Sequence, residues 1–96
     1  MYKTIADIRS ANDAAGEFWF SPDTLRFFDG RVLAGVIGGN LFITSERYDM
    51  DSPRAYTVRR AHADGSIDTV GEFMGYVTAN AARNAARGIA RDGATS

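Results

Sequence analysis

Ninety-six residues, 45% of them apolar, are enough for one compact core, so the prediction is a single domain over residues 1–96 with fraying at 93–96. Eleven basic and twelve acidic residues leave a formal charge of −1, so bulk charge selects neither nucleic acid nor an acidic surface as partner. The absence of cysteine excludes disulfides and thiolate metal sites, and no apolar run reaches membrane-spanning length.

The N-terminus, Met1 to Asp7, lacks the apolar stretch of a secretion signal, and the expected location is the cytoplasm. Thr4 to Ala15 reads as a helix. Thr4 can cap it, Asp7 sits where a capping box places its acid, and Ile5, Ile8, Ala11 and Ala15 recur at helical spacing before the Gly16 stop. Residues 18–28, Phe-Trp-Phe-Ser-Pro-Asp-Thr-Leu-Arg-Phe-Phe, crowd five aromatics around a second helix start. Ser21 is a capping hydroxyl, Pro22 suits the first helical position, and Asp23 places an acid at the positive end of the helix. This helix is predicted over about Pro22 to Phe28. If Glu17 to Phe20 is extended, Phe18 and Phe20 point one way and Trp19 the other, which leaves part of the aromatic set exposed.

The middle of the chain is β. The runs Val32 to Ile37 and Asn40 to Glu46 flank a Gly38-Gly39 turn. A polar loop over Tyr48 to Pro53 leads to Arg54–Ala63 and Ser66–Phe73, joined at Asp64-Gly65. A two-residue turn there pairs Ala63 with Ser66, His62 with Ile67, Val58 with Gly71 and Tyr56 with Phe73. One face then carries Tyr56, Val58, Ile67 and Phe73. The other carries Thr57, Arg59, Asp68 and Glu72, with Val70 as its apolar exception. A slip of one residue would bury Arg59 and Asp68. The last helix, Thr78 to Arg91, presents Thr78, Ala82, Ala85 and Ile89 on one side and Arg83, Arg87 and Arg91 nearly opposite. The fold class is α+β: a four-stranded, mainly antiparallel sheet carrying an N-terminal helix, a short second helix and a C-terminal helix, the helices on one face.

Few constellations carry chemistry. His62 is the sole histidine and sits beside a turn; the register above puts His62 and Asp68 on opposite faces, which disfavours an acid–base pair. Asp49 and Asp51 alternate in a loop, without the glycine and distal glutamate of a calcium loop, and read as a solvated turn. Gly35, Gly38 and Gly39 match no phosphate-binding spacing. No catalytic, cofactor or metal residue is predicted, and the chain reads as a non-enzyme. Ten of the eleven basic residues are arginines, suited to planar bidentate contacts, and aromatics beside arginine suit binding hot spots. The candidate partner-binding residues are Trp19, Arg26, Arg59, Arg83, Arg87 and Arg91. A homodimer through an open sheet edge is a further expectation.

The segments Phe20–Phe28, Gly38-Gly39 with Phe42–Glu46, Tyr56–Arg59 and Asp64–Phe73 together resemble a family of small proteins encoded by phages and other mobile elements of bacteria. The resemblance spans roughly residues 1 to 80, and that family has no established activity. It implies a genomic setting in which accessory proteins bind host proteins, including defence components such as CRISPR effectors. The leading expectation is such a host-protein binder or inhibitor; the alternative is nucleic-acid binding through the arginine face of the last helix.

Overall fold

The computed structural model describes residues 1–93. Helix α1, Ile5–Ala14, begins as its residues require. The Thr4 hydroxyl accepts from the Asp7 N–H and the Asp7 carboxylate accepts from the Thr4 N–H, a complete capping box. Helix α2 is one turn, Pro22–Leu25, capped by Ser21. It does not run on to Phe28. The chain kinks after Arg26 into a 3₁₀ turn at Phe27–Asp29, with Phe28 and Asp29 in the left-handed region (φ 55° and 46°).

Four strands follow: β1 Arg31–Val32, β2 Leu41–Glu46, β3 Ala55–Ala61 and β4 Ile67–Val70. They form one antiparallel sheet in the order β1-β2-β3-β4. Strand β1 is shorter than the apolar run Val32–Ile37. Leu33 still bonds to Ile43, but the next pairing is Ile37 with Leu41, so three residues bulge opposite one. Gly38, beyond that bulge, lies against α3, where a Cβ would stand 2.6 Å from the Ala90 Cβ. Helix α3 spans Ala79–Gly93 and starts under the Thr78 hydroxyl, as its sequence implies. The expected fraying of 94–96 lies outside the described residues, and Gly93 is helical.

The second hairpin differs from its predicted register by one residue. Ala61 pairs with Ile67, Arg59 with Thr69 and Val58 with Val70. The loop therefore holds three residues, with Gly65 at φ 91° as the left-handed closing residue. Packing decides between the two turns. In the observed register Val70 stops being an exception and joins Val58 in the core, while Ile67 moves to the other face with Ala61. Gly65 is also pressed against α1: its carbonyl accepts from Asn12 Nδ2 at 2.8 Å, and a Cβ on it would lie 2.3 Å from the Ala11 carbonyl oxygen.

Both sheet faces are covered, which corrects the one-face expectation. Leu41, Ile43 and Val58 face Ala82 and Ala86 of α3, whose small side chains let the helix sit close. Phe42 and Ala61, on the opposite face, meet Ile8 of α1 together with Trp19 and Phe20. A strand buried on both sides needs apolar residues at consecutive positions, and Leu41-Phe42-Ile43 supplies them.

Candidate binding cleft

Residues 18–20 are not extended. Phe18 takes φ 53°, Ser21 N–H bonds to its carbonyl, and the Trp19 N–H donates to Asn12 Oδ1 at 2.7 Å. The turn sends Trp19 and Phe20 inward together and Phe18 outward, so the expected opposition of Trp19 to both phenylalanines does not hold. Trp19 and Phe20 meet edge to face (centroids 4.9 Å), and both reach Phe42 at 5.8 Å. Asn12 is fully buried and ties Trp19 to Gly65, so one side chain links α1, the aromatic segment and the second hairpin.

Beyond Trp19 the same sheet face is polar. Thr44, Glu46, Thr57 and Arg59 follow Phe42 across β2 and β3. Arg59 was expected on a solvated charged face; its side chain is 11% exposed and that of Glu46 5%. Arg59 stays on the face predicted for it; that face is covered by Trp19 and Phe73 rather than solvated, and Glu46 is what makes the burial tolerable. Arg59 Nη2 meets Glu46 Oε2 at 3.1 Å, Nε bonds to the Thr44 hydroxyl at 3.0 Å, and Nη1 bonds to the Thr69 hydroxyl. Glu46 Oε1 accepts from the Thr57 hydroxyl at 2.8 Å. The guanidinium carbon lies 5.5 Å from the Trp19 ring centroid and 5.4 Å from that of Phe73, so two aromatic rings lie against the cation.

This ion pair lines a cleft of about 360 Å³ whose walls are Trp19, Leu25, Phe27, Phe28 and Phe73. At its mouth the apolar surface continues. Phe28 meets Phe73 at 5.3 Å and Tyr48 at 5.8 Å, and Phe27, Phe28, Tyr48, Phe73 and Val77 are all exposed. A second hollow of about 310 Å³, bounded by Tyr48, Phe73 and Val77, shares the Phe73 wall. The position of Phe28 is fixed from below: its carbonyl accepts from the Arg47 N–H at 2.8 Å, and Asp29 beside it binds both Arg47 (2.7 Å) and Arg54 (2.5 Å).

The candidate residues thus separate. Trp19 and Arg59 belong to the cleft. Arg26 stands at its rim, 72% exposed, 3.8 Å from Asp23 and 5.8 Å from the Phe27 ring. Arg83, Arg87 and Arg91 lie on α3, across the sheet from the cleft. Arg83 is half-buried at the flank of the helix, whereas Arg87 and Arg91 are exposed. The inward side of α3 centres on Ala82 and Ala86, with Ile89 and Ala90. The sequence pattern did not mark Glu46, Phe28 or Phe73 as cleft residues. The available signal was the even-numbered set Phe42, Thr44, Glu46 in β2, which grows polar toward one end and finishes on a carboxylate.

His62 and Asp68 correct another expectation. In the observed register they share a face, and His62 Nε2 lies 2.7 Å from Asp68 Oδ2. The pair is exposed and borders a different hollow, near Met1 and Tyr2. Asp49 closes its own loop, accepting from the Ser52 hydroxyl and the Asp51 N–H, and those bonds hold its pKa below the usual value.

The fold and cleft define a small α+β domain: one four-stranded sheet between single helices, with an aromatic cleft around a buried Arg–Glu pair. The chain belongs to DUF7447, a family of unknown function, whose model matches residues 4–87. No curated protein and no solved structure matches it. No helix among the described residues is long and apolar enough to cross a membrane.

Proposed function

We propose that this chain is a non-enzymatic binding protein that engages a partner protein with its aromatic end. The observation that carries the reading is the exposed apolar surface of Phe27, Phe28, Tyr48, Phe73 and Val77 around the cleft mouth. Monomeric proteins rarely leave so many large apolar groups together in water, and aromatic clusters rimmed by arginine suit interface hot spots. The resemblance to phage and mobile-element proteins supports a host protein in the bacterial cytoplasm as partner. A defence component such as a CRISPR effector, inhibited by occupation, is the first partner to test. The test is capture from host lysate with wild-type protein and with Phe27→Glu, which alters an exposed ring without touching the core. A stoichiometric complex lost in the variant supports the reading. Capture of no stoichiometric partner, or equal capture by both, refutes it.

Nucleic-acid binding is the second reading, favoured by the exposure of Arg87 and Arg91 along one side of α3. It requires affinity that falls steeply with salt and is lost in the Arg87→Glu, Arg91→Glu double variant, which leaves the aromatic end intact.

A further inference from the structure

We propose that the cleft is a receptor for one tyrosine side chain of the partner protein. This rests on the protein-binding reading and names the partner's anchor. A cleft of about 360 Å³ lies at the small end of the range for ligand pockets, which suits a single large side chain. Its walls are ring and aliphatic surface from Trp19, Leu25, Phe28 and Phe73.

Charge selects the occupant further. Arg59 already lies over the Trp19 and Phe73 rings, so a second cation would meet a like charge where it would otherwise find ring faces. An anion would face the buried Glu46 carboxylate, which already neutralises Arg59. The group that complements this floor is neutral.

Donor counting completes the selection. A guanidinium carries five N–H groups. Thr44, Thr69 and Glu46 take one each, leaving two on a side chain that is 11% exposed. An occupant that fills the cleft displaces water from these donors, so the favoured occupant brings an acceptor of its own. Phenylalanine and aliphatic side chains bring none, and the tryptophan indole is a donor only. Tyrosine brings an aromatic body and a phenolic oxygen, and it stays neutral at physiological pH.

The experiment is an NMR titration of the full chain with N-acetyl-tyrosinamide, N-acetyl-phenylalaninamide and N-acetyl-tryptophanamide. The expected result is saturable shifts at the Trp19 indole N–H and around Arg59. Tyrosinamide should bind about three- to tenfold more tightly than phenylalaninamide, the factor one hydrogen bond supplies. Phe73→Ala, which removes a partly exposed wall, should abolish the response to all three; the dispersion of its spectrum reports whether it is folded. Equal affinity for the tyrosine and phenylalanine amides overturns the proposal. So does the absence of saturable shifts, or self-association that fills the cleft with a second copy. If no amide binds while Phe27→Glu still breaks a partner complex, the tyrosine receptor fails and the binding reading stands. If tyrosinamide binds and no partner complex forms, the cleft's side-chain selectivity stands but the binding reading fails, and with it the assignment to a partner's tyrosine.

Discussion

Replacing Glu46 by Gln tests the buried pair on which the cleft is built. The substitution keeps the shape and an acceptor for Thr57 but removes the charge opposite Arg59. The two side chains are 5% and 11% exposed, and their N···O distance is 3.1 Å. Removing one partner of a buried pair costs about 3–5 kcal/mol, because the remaining charge stays desolvated. The flanking rings of Trp19 and Phe73 and the hydroxyls of Thr44 and Thr69 still hold the cation, which places the loss near the low end, about 3 kcal/mol. At about 4–8 °C per kcal/mol for a chain of this size, the melting temperature should fall by roughly 12–24 °C. Urea unfolding read by Trp19 fluorescence and by far-UV circular dichroism measures it. The Glu46→Leu, Arg59→Met double variant should regain most of the loss, since it leaves no unpaired charge. A Glu46→Gln protein within about 0.5 kcal/mol of wild type would show that water screens the pair and that the cleft floor is not dry.

Three further outcomes follow from single contacts. Gly65→Ala should destabilise by about 2 kcal/mol or more, because a Cβ there meets the Ala11 backbone oxygen and φ is 91°; thermal unfolding within 2 °C of wild type would contradict that packing. Asn12→Ala should cost about 1–3 kcal/mol by orphaning the Trp19 N–H and the Gly65 carbonyl, and should red-shift Trp19 emission as the segment loosens. Asp64 accepts from the Ser66 hydroxyl and N–H, which hold its pKa below the usual 3.8. A depressed carboxylate stabilises the fold above its unfolded pKa and loses that contribution as pH falls through the folded one. An NMR titration should therefore give a midpoint below 3.8 that rises in Ser66→Ala, and an unchanged midpoint would remove the hydroxyl as its main cause.

Local signals were legible because their cause is local. Thr4 with Asp7, Ser21 with Pro22, and Thr78 each start a helix with groups a few residues apart. The second hairpin was misread by one residue because Asp-Gly suits both two- and three-residue loops. The choice rests on Val70 reaching Val58 and on Gly65 reaching α1, contacts between residues distant in sequence. That single shift carried part of the site with it. It moved Asp68 onto the face of His62 and set Thr69 beside Arg59, while the pairing of β2 with β3 brought Thr44 and Glu46 to the same guanidinium. Segment 18–28 misled for a related reason: its backbone conformation is imposed by Asn12 and Arg47, which a local pattern does not contain.

The backbone around the cleft shows where stability has been given up. Phe18, Phe28, Asp29 and Met74 are the described non-glycine residues at positive φ, and Phe28 lines the cleft while the other three adjoin residues that do. Such conformations cost about 1–3 kcal/mol each and persist only where surrounding contacts over-determine them. Those contacts are present. The Ser21 N–H holds the Phe18 carbonyl, the Arg47 N–H holds that of Phe28, two arginines hold Asp29, and the Met74 N–H donates to the Thr57 hydroxyl. Thr57 is also the residue that hydrogen-bonds Glu46, so the contact that fixes the turn after Phe73 and the contact that orients the ion pair meet at one hydroxyl. A core built only for stability would put glycine at these φ values and bury the rings. Here the strain keeps Phe28 and Phe73 partly in water and in register with Arg59, the arrangement a preorganised receptor requires.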